Sequence, residues 1–173
     1  MSGPMNADIK SNETWYLFGE TYSSEWKSLL RHYQLPPCQA CNDPNDESLV
    51  ALSFGIGNSG SGVQWHVHGP GFSEAIHGRK HWVLYPFQDR PDFHPDQTSL
   101  NWMYYNYIQL HTTARPLECT LFPGDLLYFP DLFWHATINI DDYTAFVSTF
   151  TQEHLFAERE MSKSKSWNDQ RRL

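Results

Sequence analysis

The sequence predicts an all-β fold, a jelly-roll barrel (double-stranded β-helix) with a short N-terminal helix and a helical insert. Three observations lead there. Short apolar runs recur at close spacing between Gly, Pro and Asn turns from Leu49 onward. One of them, VQWHVH (63–68), alternates with period two. Helical spacing is confined to one stretch near the start and one inside a long Pro-rich excursion. At 173 residues, 40% hydrophobic and 16% aromatic, the chain suffices for one domain with a sizeable core. It divides into a flexible N-terminus over 1–14, the domain over 15–152 and a charged tail over 153–173.

Taken in order, WYLFG (15–19) reads as a buried strand. SSEWKSLLRHY offers Ser23 or Ser24 as N-cap and sets Trp26, Leu29, Leu30 and Tyr33 on one side of a helix, which Pro36 and Pro37 stop. Residues 36–48 form a polar loop. SLVALSFGIG is strand-like, GNSGSG is a turn, and VQWHVH is the next extended run. After Gly69-Pro70-Gly71, FSEAIHGRKHWVLYP reads as a hairpin turning near Gly78-Arg79. The excursion from Asp89 to Thr113, helical from Ser99, is expected at the rim of the barrel. LECTLF, DLLYFP, HATINI and TAFVSTF complete the strands.

The formal net charge of −8, with no Lys/Arg stripe, argues against binding nucleic acid. No apolar run approaches the length of a membrane span. MSGPMNADIKSNET holds no signal-peptide core, so the protein is expected either in the cytosol or to begin downstream of a targeting segment. Cys38 and Cys41 form a lone CxxC in a loop, without the second ligand pair that zinc requires and without the following helix that a redox pair uses. They read as loop cysteines, oxidised or not, and Cys119 as a small core residue. Asn12-Glu13-Thr14 is a glycosylation sequon.

The chemistry-bearing residues lie in two segments. On a strand His66 and His68 share one face, which either starts a metal site or is the wet side of a sheet. In GDLLYFPDLFWHATIN (124–139), His135 follows Phe133-Trp134, an odd position for a solvated side chain, and Asn139 is two side-chain steps further along the same face.

Read together, Gly60-x5-His66-x-His68, Glu74 and Gly78, then Gly124-x5-Pro130-x4-His135-x3-Asn139, resemble the two motifs of the cupin superfamily. More specifically the chain resembles a JmjC domain, on Gly78-Arg79-Lys80-His81-Trp82, Leu84-Tyr85-Pro86 and Tyr128-Phe129-Pro130 through His135. Within that family it is most similar to the JmjC domain-containing protein 8 group, on 66–72, Phe93-His94-Pro95, 114–120 and 146–150. The likeness runs from about Trp15 to Thr151.

The resemblance implies a divalent metal, Fe(II) in the family, on His66, His68 and His135. It also implies 2-oxoglutarate with its far carboxylate on Lys80. The family's oxygenases carry a carboxylate where this chain has His68, and often a Thr where it has Val63. A neutral imidazole there leaves the site one unit more positive, which disfavours oxidising the metal but not binding it, since imidazole suits Fe, Zn, Cu and Ni alike. Glu74 either restores the carboxylate or is exposed, and Lys80 either meets an acidic ligand or is solvated. Three functions follow: a catalytically impaired metal-binding cupin acting through protein partners in signalling, a Fe(II)/2-oxoglutarate-dependent oxygenase of the protein-hydroxylase type, or a cupin enzyme with a three-histidine metal site that does not use 2-oxoglutarate. The resembling group works in the endoplasmic reticulum lumen, which would give the Asn12 sequon a use.

Overall fold

The computed structural model describes residues 13–21, 23–38 and 50–151. Eight strands and two helices follow the order β1 (Tyr16–Glu20), α1 (Ser24–Leu30), β2 (Val50–Asn58), β3 (Gly71–His77), β4 (Lys80–Tyr85), α2 (Ser99–Tyr105), β5 (Leu117–Leu121), β6 (Leu126–Phe129), β7 (Trp134–Asn139) and β8 (Tyr143–Thr151). They form two antiparallel sheets, a five-stranded one ordered β1-β2-β8-β3-β6 and a three-stranded one ordered β5-β4-β7. This is the mostly-β, jelly-roll arrangement expected from the sequence. The 1–12 and 152–173 segments, the Asn12 sequon and Cys41 lie outside the described residues; Cys38 is disulfide-bonded.

Residues 61–68, expected to hold a strand over 63–68, form no regular strand and join the smaller sheet through an isolated bridge between His66 and His135. They run beside β7, with Asn139 N–H donating to Ser61 O (2.7 Å), Thr137 N–H to Val63 O (3.0 Å) and His135 N–H to His66 O (3.0 Å). Gly62 makes this approach possible, because a Cβ there would collide with the Thr137 carbonyl oxygen. Gly62→Ala should therefore push the segment off β7. The expected result is a loss of about 1–3 kcal/mol of stability, with metal affinity falling alongside, both measurable by thermal melts with and without added metal.

The hairpin expected at Gly78-Arg79 does not form. β3 pairs with β8 and β6, whereas β4 pairs with β5 and β7, so the chain crosses from one sheet to the other at this corner. Gly78 takes φ +69 under the Tyr143 carbonyl, and a bulge between Ala75 and His77 bends β3 into the corner. Arg79 ties the corner to the β7–β8 turn, its Nη2 2.6 Å from Asp141 Oδ1 and its backbone N–H donating to Asp141 Oδ2 (2.8 Å). A tight turn between two alternating runs signals a change of direction. It does not say which strand pairs with which.

Two apolar clusters flank the smaller sheet. Between the sheets, Ala75, Trp82, Leu84, Leu121 and Phe129 are buried together. On its other side Trp65, Val83, Trp102 and Ala136 form a second core beneath the long insert. The insert thus lies across the outer face of the smaller sheet rather than at the rim. Thr98 caps α2, its side chain accepting from Asn101 N–H (3.2 Å), and Trp102 Nε1 donates to Asp92 O (2.9 Å). Helix α1 buries no residue fully; Trp26 packs its ring 5.2 Å from that of Phe54. No helix among the described residues is long and apolar enough to cross a membrane.

Candidate metal centre and acid-binding cavity

Strand register decides what faces the space between the sheets. Directly paired residues point the same way. On the larger sheet this puts Tyr16 beside Gly57 and Phe18 beside Gly55 and Phe146. It also sets Ser53, Ser148 and Ser73 in one row, with Phe150, Gly71 and Phe129 in the next. The small residues leave room. A cavity of about 420 Å³ opens there, lined by His66, His68 and His135 at one part and by Lys80, Tyr16 and Phe146 at another.

His66 reaches this cavity through a local irregularity. Val63 faces Thr137 on β7 and His66 faces His135, three steps on one chain against two on the other. The extra residue lets Val63 and His66 both line the cavity while Trp65 turns into the core beneath the insert. His135 opens β7 after a turn in which Leu132 takes φ +58, a left-handed value that costs a non-glycine residue about 1 kcal/mol. The turn is held by Leu132 N–H donating to His68 O (3.0 Å).

The three imidazoles converge, with ligand atoms all within 4.8 Å of one another. Each Nδ1 faces a backbone carbonyl, which can only accept: His66 to Gln64 O (2.7 Å), His68 to Gly69 O (2.7 Å) and His135 to Phe133 O (2.8 Å). The proton of each neutral ring therefore sits on Nδ1, leaving the Nε2 lone pairs to meet one another. His68 Nε2 and His135 Nε2 are 3.1 Å apart. Two lone pairs at that distance repel unless a cation lies between them, and nitrogen-to-metal distances of about 2.0–2.1 Å suit the spacing. Burial and the neighbouring His66 and His68 hold His135 well below its ordinary value, and burial lowers His66, so both rings stay neutral and able to ligate. His135 is itself fixed by stacking on Trp82 and Phe129. The residues fit a divalent metal.

Glu74 does not join them. It pairs with Val147 while Ser73 and Ser148 point inward, so its carboxylate lies on the outer face of the larger sheet. There it neighbours Tyr33, whose hydroxyl burial pushes up to about 12, with the Glu74 charge adding to the rise. Glu74→Gln should leave metal affinity unchanged, as a competition titration against a chelating dye would show; a tenfold weakening would place the carboxylate at the site after all.

Lys80 does face inward. It is 1% exposed, and its Nζ donates to Asn139 Oδ1 (3.1 Å), which in turn donates from Nδ2 to Ser61 Oγ (3.0 Å). Nζ lies 3.9 Å from the centre of the Phe146 ring and 5.2 Å from that of Tyr16. Among the described residues no carboxylate faces it. Burial alone brings it down to about 7, because the aromatic faces return at most about 2 kcal/mol of the lost hydration. The Tyr16 hydroxyl, near Thr137, is buried without a partner in hydrogen-bonding geometry, and burial raises it above its ordinary value.

Tyr16, Thr137, Phe146 and Ser148 were not singled out from the sequence. Only Asn139 was, as a same-face neighbour of His135. Tyr16 alternates inward within WYLFG, a signal that could have been read had the pairing of β1 been known. Val63, which stands where the family often has a Thr, donates its N–H to Thr137 Oγ1 (3.1 Å), and Thr137 lines the cavity.

Comparison with known proteins agrees with this architecture. The model of the cupin-like domain family matches residues 4–154. JmjC domain-containing protein 8 of mouse and of human are each 48% identical over 147 residues, 85% of this chain and 52% and 53% of theirs. The chain thus spans about half the length of these relatives. The Arabidopsis thaliana Lysine-specific demethylase JMJ21 is 32% identical over 164 residues, 82% of this chain and 17% of that protein. Among solved structures, a Bacillus subtilis oxalate decarboxylase chain is similar at 16% identity and TM-score 0.43, over 61% of this chain and 22% of that one. With a family match over most of its length, the chain belongs to the cupin-like domain family, with JmjC-domain proteins among its relatives.

Proposed function

We propose that this domain holds a divalent metal, Fe(II) by its likeness to the family, on His66, His68 and His135, and an acidic small molecule of the 2-oxoglutarate type with one carboxylate on Lys80. On this reading it acts as a metal-loaded binding module through protein partners, in signalling or protein folding, rather than as a hydroxylase. The observation that carries it is the convergence of three Nε2 lone pairs with no carboxylate beside them among the described residues. When bound, the metal supplies a positive centre that attracts the ligand's near carboxylate. Lys80 orients the far one in a charge-assisted contact, Tyr16 and Asn139 offer the remaining polar groups, and the aromatic walls exclude water. A luminal location in the endoplasmic reticulum belongs to the same reading; a tagged full-length protein that remains cytosolic would remove it.

The second reading, a Fe(II)/2-oxoglutarate-dependent protein hydroxylase, draws its support from the inward Lys80 and from the JmjC demethylase among the relatives. Metal analysis followed by calorimetric titration of 2-oxoglutarate, then a succinate-release assay, separates the two. Binding without turnover supports the module. Turnover supports the hydroxylase, and no heat at millimolar ligand removes the acid site from both.

A further inference from the structure

Lys80 combines features that a purely ionic contact does not need. Its amine is sealed between the sheets at 1% exposure yet lines a cavity of about 420 Å³. The groups that face Nζ are Asn139 from β7, Tyr16 from β1 and Phe146 from β8, and none of them carries charge at neutral pH. A hydroxyl with no partner in hydrogen-bonding geometry, that of Tyr16, lines the same cavity. Aromatic rings (Phe146, Trp82, Phe129) form much of its wall.

We propose that, when no acid occupies the cavity, Lys80 is a carbonyl-reactive amine that forms an imine with small uncharged, preferably aromatic, aldehydes. The inference shares the cavity with the reading above but needs neither the metal nor the acid. In the step, the Nζ lone pair adds to the carbonyl carbon as the C=O π pair moves to oxygen. The oxygen takes a proton, Nζ gives one up, and the carbinolamine then loses water to leave a C=N bond to Nζ. The Tyr16 hydroxyl, kept protonated by burial and lining the same cavity, is the group assigned to donate to the departing oxygen and to recover its proton from the nitrogen. Burial supplies the free amine: with its value brought to about 7, Lys80 is substantially unprotonated at a pH where an ordinary lysine is nearly all ammonium.

The test is reductive labelling of the full chain, stripped with EDTA, by benzaldehyde and sodium cyanoborohydride at pH 7.5, read by peptide mass mapping. The reductant delivers hydride to the imine carbon and fixes a benzylamine at the modified lysine. Lys80 should be labelled at least about tenfold faster than the exposed Lys27, and its labelling should have a pH midpoint near 7. Lys80→Arg should lose that labelling while Lys27 keeps its own, and Tyr16→Phe should slow it with the midpoint unmoved. Labelling of Lys80 no faster than Lys27, in protein whose melting curve shows it folded, overturns the proposal. The outcome is independent of the 2-oxoglutarate titration. Labelling with no acid binding leaves the amine standing and removes the acid site, and the converse does the reverse.

Discussion

Lys80→Met should stabilise the ligand-free protein while abolishing its binding of 2-oxoglutarate. An ammonium in this position has lost its water and gained one amide oxygen and two ring faces. Moving a lysine from its ordinary 10.5 to about 7 corresponds to roughly 4 kcal/mol of folding free energy at neutral pH. The sign follows from proton binding. Between pH 10.5 and 7 the unfolded chain takes up a proton that the folded one refuses, so the wild type loses stability as the pH falls through that window. Methionine carries no proton and packs against Phe146, but it leaves Asn139 Oδ1 without its donor, which costs about 1–2 kcal/mol. The net gain at pH 7 should be about 2 kcal/mol, a rise in Tm of about 4–8 °C. It should shrink toward pH 10.5. A thermal melt series from pH 6 to 10 checks the stability, and calorimetry checks the ligand. A variant that melts lower than wild type at pH 7 would mean that the folded protein already supplies Lys80 with a counter-charge.

His135→Ala should remove metal binding and with it every metal-dependent gain in stability. A ligand that binds only the folded state raises stability by RT ln(1 + [L]/Kd), about 4 kcal/mol at a thousandfold excess over Kd. In the wild type, EDTA should therefore lower Tm by several degrees; in the variant the EDTA and metal curves should coincide. The metal-free variant should also melt lower than the metal-free wild type. Its missing ring leaves a void between Trp82 and Phe129, at a cost of about 2–4 kcal/mol, partly offset by relief of the Nε2 repulsion against His68. A metal-induced shift that survives the substitution would place the ion elsewhere.

The sequence by itself determined most of the elements and the candidates, although WYLFG, expected buried, is an edge strand with Trp15, Leu17 and Phe18 exposed. The strands from Leu117 to Thr151 were legible as short apolar runs between turn residues, a signal written in neighbouring residues, whereas VQWHVH alternates in sequence but forms only an isolated bridge at His66. The three histidines were legible because two segments together matched a known pattern, which a lone His-x-His would not have done. What only the tertiary structure decided is orientation across long sequence separations. Which strand lies beside β3 depends on β8, so the hairpin expected at Gly78 became a corner between sheets. Glu74 and Lys80 were each equally poised between facing in and facing out. Pairing with Val147 turned Glu74 outward, and pairing with Asn139 turned Lys80 inward. A side chain's face is fixed by the parity of its register with a partner strand. One unpaired residue reverses that parity, as the step between Val63 and His66 does beside β7. No reading of residues 63–68 alone can count that residue, because its partner lies about seventy positions away.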